Sequence, residues 1–453
     1  MSQEASTHSG AEGSFRSYDD FLTELSAKCE ANADIPKDLY AKYDVKKGLR
    51  DSNGKGVVAG LTNISKVCGY TVDDGGNTVP CPGRLIYRGF DVKDLVGEAK
   101  GLGLFERCAY LLLFGSKPTD EQLTEFRKHL GAQFSLPTNF VKEVIMRDNG
   151  TDVMNGMARG TLSLALYEDI GDTSPKGALR NSINIIASMP ALAVYGHQVV
   201  SHLNGEGFHI LSPDPKLTIA ENILRMLHPQ GEYTELEAVV LDRMMVLHME
   251  HGGGNNSAFT ARVVSSSGSD TYSVIAAALL SLKGPKHGGA SLKVAQMAKN
   301  IKENVEDITD ESQMKHYLEM IADGYAFDGK GLIYGMGHAV YTVSDPRAEL
   351  LRNLAGKLAK EKGREAEYRM YNLIEELSPS IVRERHPGGP VCANVDLYSG
   401  FAYDLLGIPE DLYTPMFAVS RTVGWCAHHL EEIISSNKII RPAYVSIVTE
   451  HTD

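Results

Sequence analysis

Residues 271–306 read TYSVIAAALLSLKGPKHGGASLKVAQMAKNIKENVE, and this stretch decides the fold class. Residues 271–283 form an apolar run of helical length ended by Gly284 and Pro285; beyond His287, Gly288 and Gly289 the next helix starts near Ala290 or Ser291. The same alternation of helix and glycine-rich break extends to both sides. Upstream, helices are predicted at 105–114, 119–130, 181–200, 220–227 and 233–249; downstream at 292–306, 311–322, 348–362, 366–377, 397–406 and 413–436. An amphipathic helix begins near Tyr18, with Phe21, Leu22, Leu25 and Cys29 on one side. Only 48–89 reads as strand or irregular loop, being rich in glycine and proline with short β-branched pieces. The expected class is therefore all-α and multi-helical, with minor β structure near the N-terminal region.

Composition narrows the function. A chain of 453 residues is long enough for a large domain and a smaller one. Lys and Arg number 45 against 58 Asp and Glu, a net charge of −13 that argues against nucleic acid or an anionic membrane as partner. Hydrophobic residues at 43% and charged residues at 23% exclude general disorder. The longest apolar stretch, 274–282, falls short of the roughly 18 residues that span a bilayer, so no membrane segment is expected. Residues 1–17 carry no targeting pattern and are expected to be disordered. The six cysteines, Cys29, Cys68, Cys81, Cys108, Cys392 and Cys426, have no CxxC spacing, which predicts a cytoplasmic protein with neither disulfides nor a cysteine zinc site.

Four glycine-rich breaks, HGGGNNS from His251, GPKHGGA from Gly284, GKGLIYGMGHAV from Gly329 and HPGGPVCANVD from His386, suit close approach of backbone to a small ligand. His287 precedes a helix start, where an imidazole stays uncharged and can donate to a developing oxyanion. In VSDPRAELL, Ser344 or Asp345 caps, Pro346 takes the first helical position, and Arg347 lies in the first turn, where a cation opposes the helix dipole and calls for an anionic partner. Arg421 shares a helix face with Phe417 and Trp425, and a buried arginine needs a carboxylate or phosphate. Two such arginines can grip a dicarboxylate. Arg441 alone reads as surface charge. Asp396, in CANVDLYSG, is either a helix N-cap or, if partly desolvated, a general base. His248 and His251, three apart in HMEH, could face a metal, but the motif is not HExxH and no third ligand is signalled.

Together LHMEHGGGNNSAFTARVV, ALLSLKGPKHGGA, GMGHAVYTVSDPRAEL, ANVDLYSGFAYDLLGIP and SRTVGWCAHHLEE resemble the citrate synthase family, with weaker similarity in YRGFDVKDL and AENILRML. The resemblance implies a homodimer in which a large domain (18–287 plus 408–453) carries a small domain (288–407) that closes over substrate. It implies that His287 hydrogen-bonds the thioester carbonyl of acetyl-CoA, Asp396 removes the methyl proton, and His338 hydrogen-bonds or protonates the oxaloacetate carbonyl. His251, Arg347 and Arg421 would hold oxaloacetate, joined by Arg441 from the other subunit; Leu332, Gly335, Gly337 and Asn394 would contact CoA. Acetyl-CoA is then a co-substrate, and no metal or resident cofactor is implied. Three positions depart from common family forms: Gly252 in place of glutamate leaves the orientation of His251 to other partners, Thr342 in place of a basic residue leaves the CoA phosphates to others, and Lys286 puts a cation beside His287. The near alternative is 2-methylcitrate synthase acting on propionyl-CoA, since one methylene is worth only about 1–3 kcal/mol of discrimination. Readings from other classes are a metal-dependent hydrolase built on His248 and His251, and a non-catalytic CoA-binding regulator.

Overall fold

The computed structural model describes residues 17–51, 55–147, 150, 152–338, 340–387, 391–436 and 438–448. Residues 1–16 of the segment expected to be disordered, and 388–390 of the glycine-rich break that starts at His386, lie outside the described residues. Ser17 is described, and its side chain caps the first helix.

The α-helices among the described residues are α1 (Tyr18–Ala33), α2 (Lys37–Lys42), α3 (Val92–Gly97), α4 (Leu104–Phe114), α5 (Asp120–Ala132), α6 (Val153–Leu164), α7 (Pro175–Leu203), α8 (Ile219–Leu227) and α9 (Glu235–His248). They continue with α10 (Asn256–Ser266), α11 (Thr271–Leu282), α12 (Ala290–Asn304), α13 (Glu311–Ala322), α14 (Pro346–Glu361), α15 (Glu365–Arg385), α16 (Asp396–Leu405) and α17 (Tyr413–Ser435). One antiparallel sheet, β1 (Ser65–Val72), β2 (Thr78–Tyr87) and β3 (Phe90–Asp91) in that spatial order, lies within the region expected to hold strands. The all-α expectation holds. Residues Gly60–Arg441 form one compact unit; a second, smaller unit joins the segment up to Ala59 to the segment from Pro442.

Local chemistry explains the helix starts. Thr119 with Gln122, Thr218 with Glu221, and Thr234 with Glu237 each form a reciprocal capping box. Ser174 caps α7 and Asp345 caps α14, each followed by a proline at the first helical position, whose missing N–H costs nothing there. Helix α6 escaped the sequence reading because its glycines weaken the pattern. Gly160 is there for packing: a Cβ on it would lie 2.8 Å from Leu192 of α7. Helix α15 continues through Pro379 to Arg385, past the predicted end at 377, and this buries Ile381.

Helices α7, α9 and α17 are buried over most of their circumference and form the centre of the larger unit. At 29 residues, α7 is long and apolar enough to cross a bilayer by length and composition, which corrects the expectation drawn from 274–282. Inside the protein, 78% of that apolar window is buried, as in a core helix. Helix α17 packs against α7, α9, α10 and α11, so the ends of α9 and α11 meet its flank.

The β1–β2 hairpin presses its backbone onto residues 340–344. A Cβ on Gly69 would lie 2.3 Å from the Val340 carbonyl oxygen, and one on Gly83 would lie 2.2 Å from that of Ser344. The Gly83 N–H donates to this same Ser344 oxygen at 3.1 Å. Backbone cannot step aside as a flexible side chain can, so the Gly83→Ala variant should be destabilised by about 1–3 kcal/mol. Gly60→Ala, with nothing within 4 Å of the added carbon, should stay within about 1 kcal/mol of the parent. Urea midpoints at unchanged m-value check the pair.

Candidate active site

The predicted catalytic and oxaloacetate residues, Arg441 apart, come from six places in the chain. Helix α9 ends at His248 and delivers His251 two residues beyond its cap; α11 ends at Leu282 and leads to His287; 329–338 carries His338; α14 opens with Arg347; α16 opens with Asp396. Helix α17 passes behind them with Arg421. The fields these groups exert on one another show that they converge. His251 feels Arg347, His338 and Arg421; Asp396 feels Arg347, Asp345 and Arg421; His287 feels Arg421.

Arg347 is 4% exposed, and its anionic partner is intramolecular. Its Nε donates to Asp345 Oδ1 at 3.0 Å and its Nη2 to Asp345 Oδ2 at 2.7 Å, the two-point geometry that suits guanidinium and carboxylate. Burial works against its charge, but Asp345 outweighs that and holds the guanidinium above its ordinary pKa. Arg421 is treated differently. At 1% exposure it stacks on Phe417, 4.7 Å from the ring centre, and its Nε donates to the His248 carbonyl at 2.7 Å. Its Nη1 is buried with no hydrogen-bond partner among the described residues. Burial draws its pKa down to about 10 against the opposing pull of Glu250.

The imidazoles are held uncharged. His338 Nδ1 accepts from the backbone N–H of Val340 and of Tyr341, both at 3.0 Å, so its proton sits on Nε2. That nitrogen is 3.4 Å from Arg347 Nη2; both are donors, and an oxygen acceptor placed against the two satisfies them together. Burial, then Arg347, lowers the His338 pKa to about 4. His251 packs edge-on against His338 and Tyr341, with ring centres 5.2 and 5.5 Å away. Its Nε2 is buried without a partner among the described residues, and burial and the nearby arginines keep its pKa well below the ordinary range.

His287 Nε2 lies 2.9 Å from Ser257 Oγ, which accepts from Trp425 Nε1–H at 3.0 Å. The single Ser257 proton can go to His287 or to Asn255 Oδ1 at 2.9 Å; when it goes to His287, the ring carries its own proton on Nδ1 as a free donor. Burial, then Arg421, lowers the His287 pKa to about 4. The helix start and Lys286, invoked from sequence, are not the main causes.

Asp396 is the first residue of α16, not its N-cap, which is Val395. Its own N–H is taken by Asn394 Oδ1 at 3.0 Å. Burial raises its carboxyl pKa to about 6 although Arg347 and Arg421 pull the other way, which poises it as a base near neutral pH. The residues predicted to contact CoA form a small backbone clasp. Asn394 N–H donates to the Gly335 carbonyl at 2.9 Å, Asn394 Nδ2 to the Gly337 carbonyl at 2.8 Å, and Gly337 N–H to Cys392 at 2.8 Å. Gly335 and Gly337 take φ of +84° and +88°, which favours glycine at both. Leu332 is 53% exposed beside them in sequence. Arg441 is exposed and has no side-chain bond to these groups among the described residues.

HMEH does not form a metal site. The His248 ring packs on Phe417 at 4.7 Å and its Nε2 meets Ser399 Oγ at 3.2 Å, whereas His251 faces His338. No group of three potential metal-ligating side chains occurs among the described residues. Sequence reasoning missed Ser257, Glu250 and His428, all inside quoted motifs; His428, seven residues after Arg421, lies on the same helix face. A cavity of about 340 Å³ is lined by other residues, among them Asn181, Ser265, Asp270 and His429.

The family model for the citrate synthase C-terminal domain matches residues 49–443. A citrate synthase of Haloferax volcanii is 35% identical over 368 residues, covering 80% of this chain and 88% of that protein. A 2-methylcitrate synthase of Shewanella oneidensis is 33% identical over 366 residues, covering 80% of this chain and 89% of that protein. The crystal structure of citrate synthase from Pyrobaculum aerophilum superposes with a TM-score of 0.72 at 26% identity, covering 88% of this chain and 93% of that one. With the motifs and the fold in agreement, the chain belongs to the citrate synthase family.

Proposed function

We propose that this chain condenses acetyl-CoA with oxaloacetate and water to give citrate and CoA. The observation that carries the reading is Asp396, a carboxyl poised near pH 6 in the fields of Arg347 and Arg421, which also act on uncharged His338 and His287 respectively. A thioester methyl group is weakly acidic, so its carbanion must be stabilised as it forms. Asp396 takes the methyl proton while His287 donates to the thioester oxygen, and the enol equivalent attacks the oxaloacetate carbonyl carbon. His338 Nε2–H and Arg347 Nη2–H converge on the oxygen that gains charge. Arg421 Nη1 and His251 Nε2 are the buried donors that take the carboxylates. Water then cleaves the citryl-CoA thioester. Nothing in these steps requires a resident metal or redox group.

The same reading makes the enzyme a homodimer in which Arg441 of each copy completes the other's oxaloacetate site; its exposure in the single chain supports this. It makes 288–407 a small domain that closes on 18–287 plus 408–453, shielding the intermediate from water until carbon–carbon bond formation is over. A cytoplasmic location is supported by six cysteines that are all free.

Oxaloacetate-dependent release of CoA thiol, with acetyl-CoA and propionyl-CoA compared over a concentration series, tests the function. A kcat/KM favouring acetyl-CoA is expected; equal or reversed values would make this a 2-methylcitrate or dual-function enzyme, and release from neither would refute the reading. His287→Ala should lower kcat by ~10²–10³ with little change in KM. Arg421→Leu should raise the oxaloacetate KM by about 30-fold or more, and Arg441→Ala should raise it as well. Asp396→Asn should remove activity and stabilise the fold. The folded-state pKa lies above the unfolded one, so ionising Asp396 disfavours folding above about pH 6. The variant should thus be about 1–3 kcal/mol more stable than the parent at pH 7–8, a gap that closes as pH falls towards 4. Denaturation at several pH values measures it.

A further inference from the structure

Glu250 is fully buried between His248 and His251. Its Oε1 accepts three hydrogen bonds, from Ser65 Oγ at 2.8 Å, the Gly252 N–H at 2.5 Å and His428 Nε2 at 3.0 Å. His428, also fully buried, has its Nδ1 lone pair taken by Arg262, whose Nη2 lies 2.8 Å away, so its Nε2 carries the proton and donates to Glu250. Arg262 is anchored in turn by Glu431 and, at 2.9 Å, Glu432. A chain of alternating charge and dipole therefore runs from the end of α17 to the turn that presents His251.

The far side of Glu250 faces Arg421. Glu250 Oε2 is buried with no partner among the described residues, and so is Arg421 Nη1. Glu250 Oε2 and the stem of Arg421 both lie against Gly424: a Cβ there would be 2.5 Å from Oε2 and 3.5 Å from Arg421 Cδ. Each group feels the other's charge, yet they form no ion pair: the carboxylate would have to swing towards the guanidinium to make one. Its three bonds through Oε1 prevent that, whereas Asp345 is free to clasp Arg347 at two points. Gly252 answers to the same carboxylate, with a φ of +87° that a glutamate would adopt only under strain.

On the function proposed above, we propose that Glu250, held back by His428 and Arg262, is a positioning residue for oxaloacetate: it supports the charge of Arg421 without occupying the guanidinium edge that receives a substrate carboxylate, and it fixes the turn that aims His251. Loss of the backing bond releases the carboxylate onto Arg421, where it competes with substrate.

The test is the oxaloacetate KM of three variants, with acetyl-CoA saturating. His428→Asn keeps an acceptor for Arg262 but loses the donor to Glu250; it should raise the oxaloacetate KM at least tenfold while kcat falls less than threefold. His428→Gln keeps the donor and should recover most of the parent KM. Glu250→Gln in the His428→Asn background removes the competing charge and should lower the KM again, a sign reversal that a merely structural role would not give. Should His428→Asn fail to fold, Ser65→Ala, which removes another restraint on Glu250, should raise the oxaloacetate KM two- to threefold with the acetyl-CoA KM unchanged. An active parent with no KM change in the folded single variant, or a double variant worse than His428→Asn, overturns the inference alone. A parent that releases no CoA thiol overturns the functional reading and this inference with it.

Discussion

Taking a guanidinium out of water costs several kcal/mol unless fixed charges and hydrogen bonds replace the lost hydration. Arg421 is at 1% exposure in the middle of a helix that also buries Trp425, so its surroundings must supply that replacement. They do so from two sides. The His248 carbonyl, left over at the end of α9, takes one N–H, and Glu250, two residues later, supplies the counter-charge. The turn after α9 is therefore bound to α17 by an electrostatic need, and His251 is carried into the site by that same turn. A helix end, which always leaves carbonyl groups without partners, is well suited to this task.

The site balances charges against burial. Burial, with Asp345, pushes the Asp396 pKa up while Arg347 and Arg421 pull it down; burial prevails and leaves it near 6. On the histidines burial and the cations act in the same direction, Arg421 on His287, Arg347 on His338 and both on His251, so all three imidazoles stay uncharged. One arrangement thus produces a base and uncharged donors side by side, which is what proton abstraction next to a carbonyl demands.

Much of this was legible in the residues. Long helical runs broken by glycine marked the all-α class, because backbone that turns sharply or approaches a ligand needs glycine while the helices between do not. Arg347 and Arg421 stood out as cations on apolar faces. The partner of Arg347 was quoted in its own motif, but sequence could not tell a cap from a counter-ion, and Asp345 is both. The rest depends on groups far apart in the chain. Ser257 meets His287 across 30 positions and Glu250 meets His428 across 178, contacts fixed only by how α10 and α17 pack. The cause of the low His287 pKa was misread for this reason: the cation that acts on it is Arg421, not the adjacent Lys286. Helix α6 was missed because its glycines weaken a helix in isolation, and the reason for Gly160 shows only when Leu192 of α7 lies against it.

Asp345 starts α14 by accepting the Arg347 N–H and, with the same carboxylate, clasps the Arg347 side chain. A folding signal and the counter-ion that holds Arg347 in place are here one residue, so variation cannot adjust either separately. Any lineage that altered substrate choice by moving Arg347 would have to find a new way to begin the helix in the same step. Change at this corner is confined, because one side chain answers to both demands.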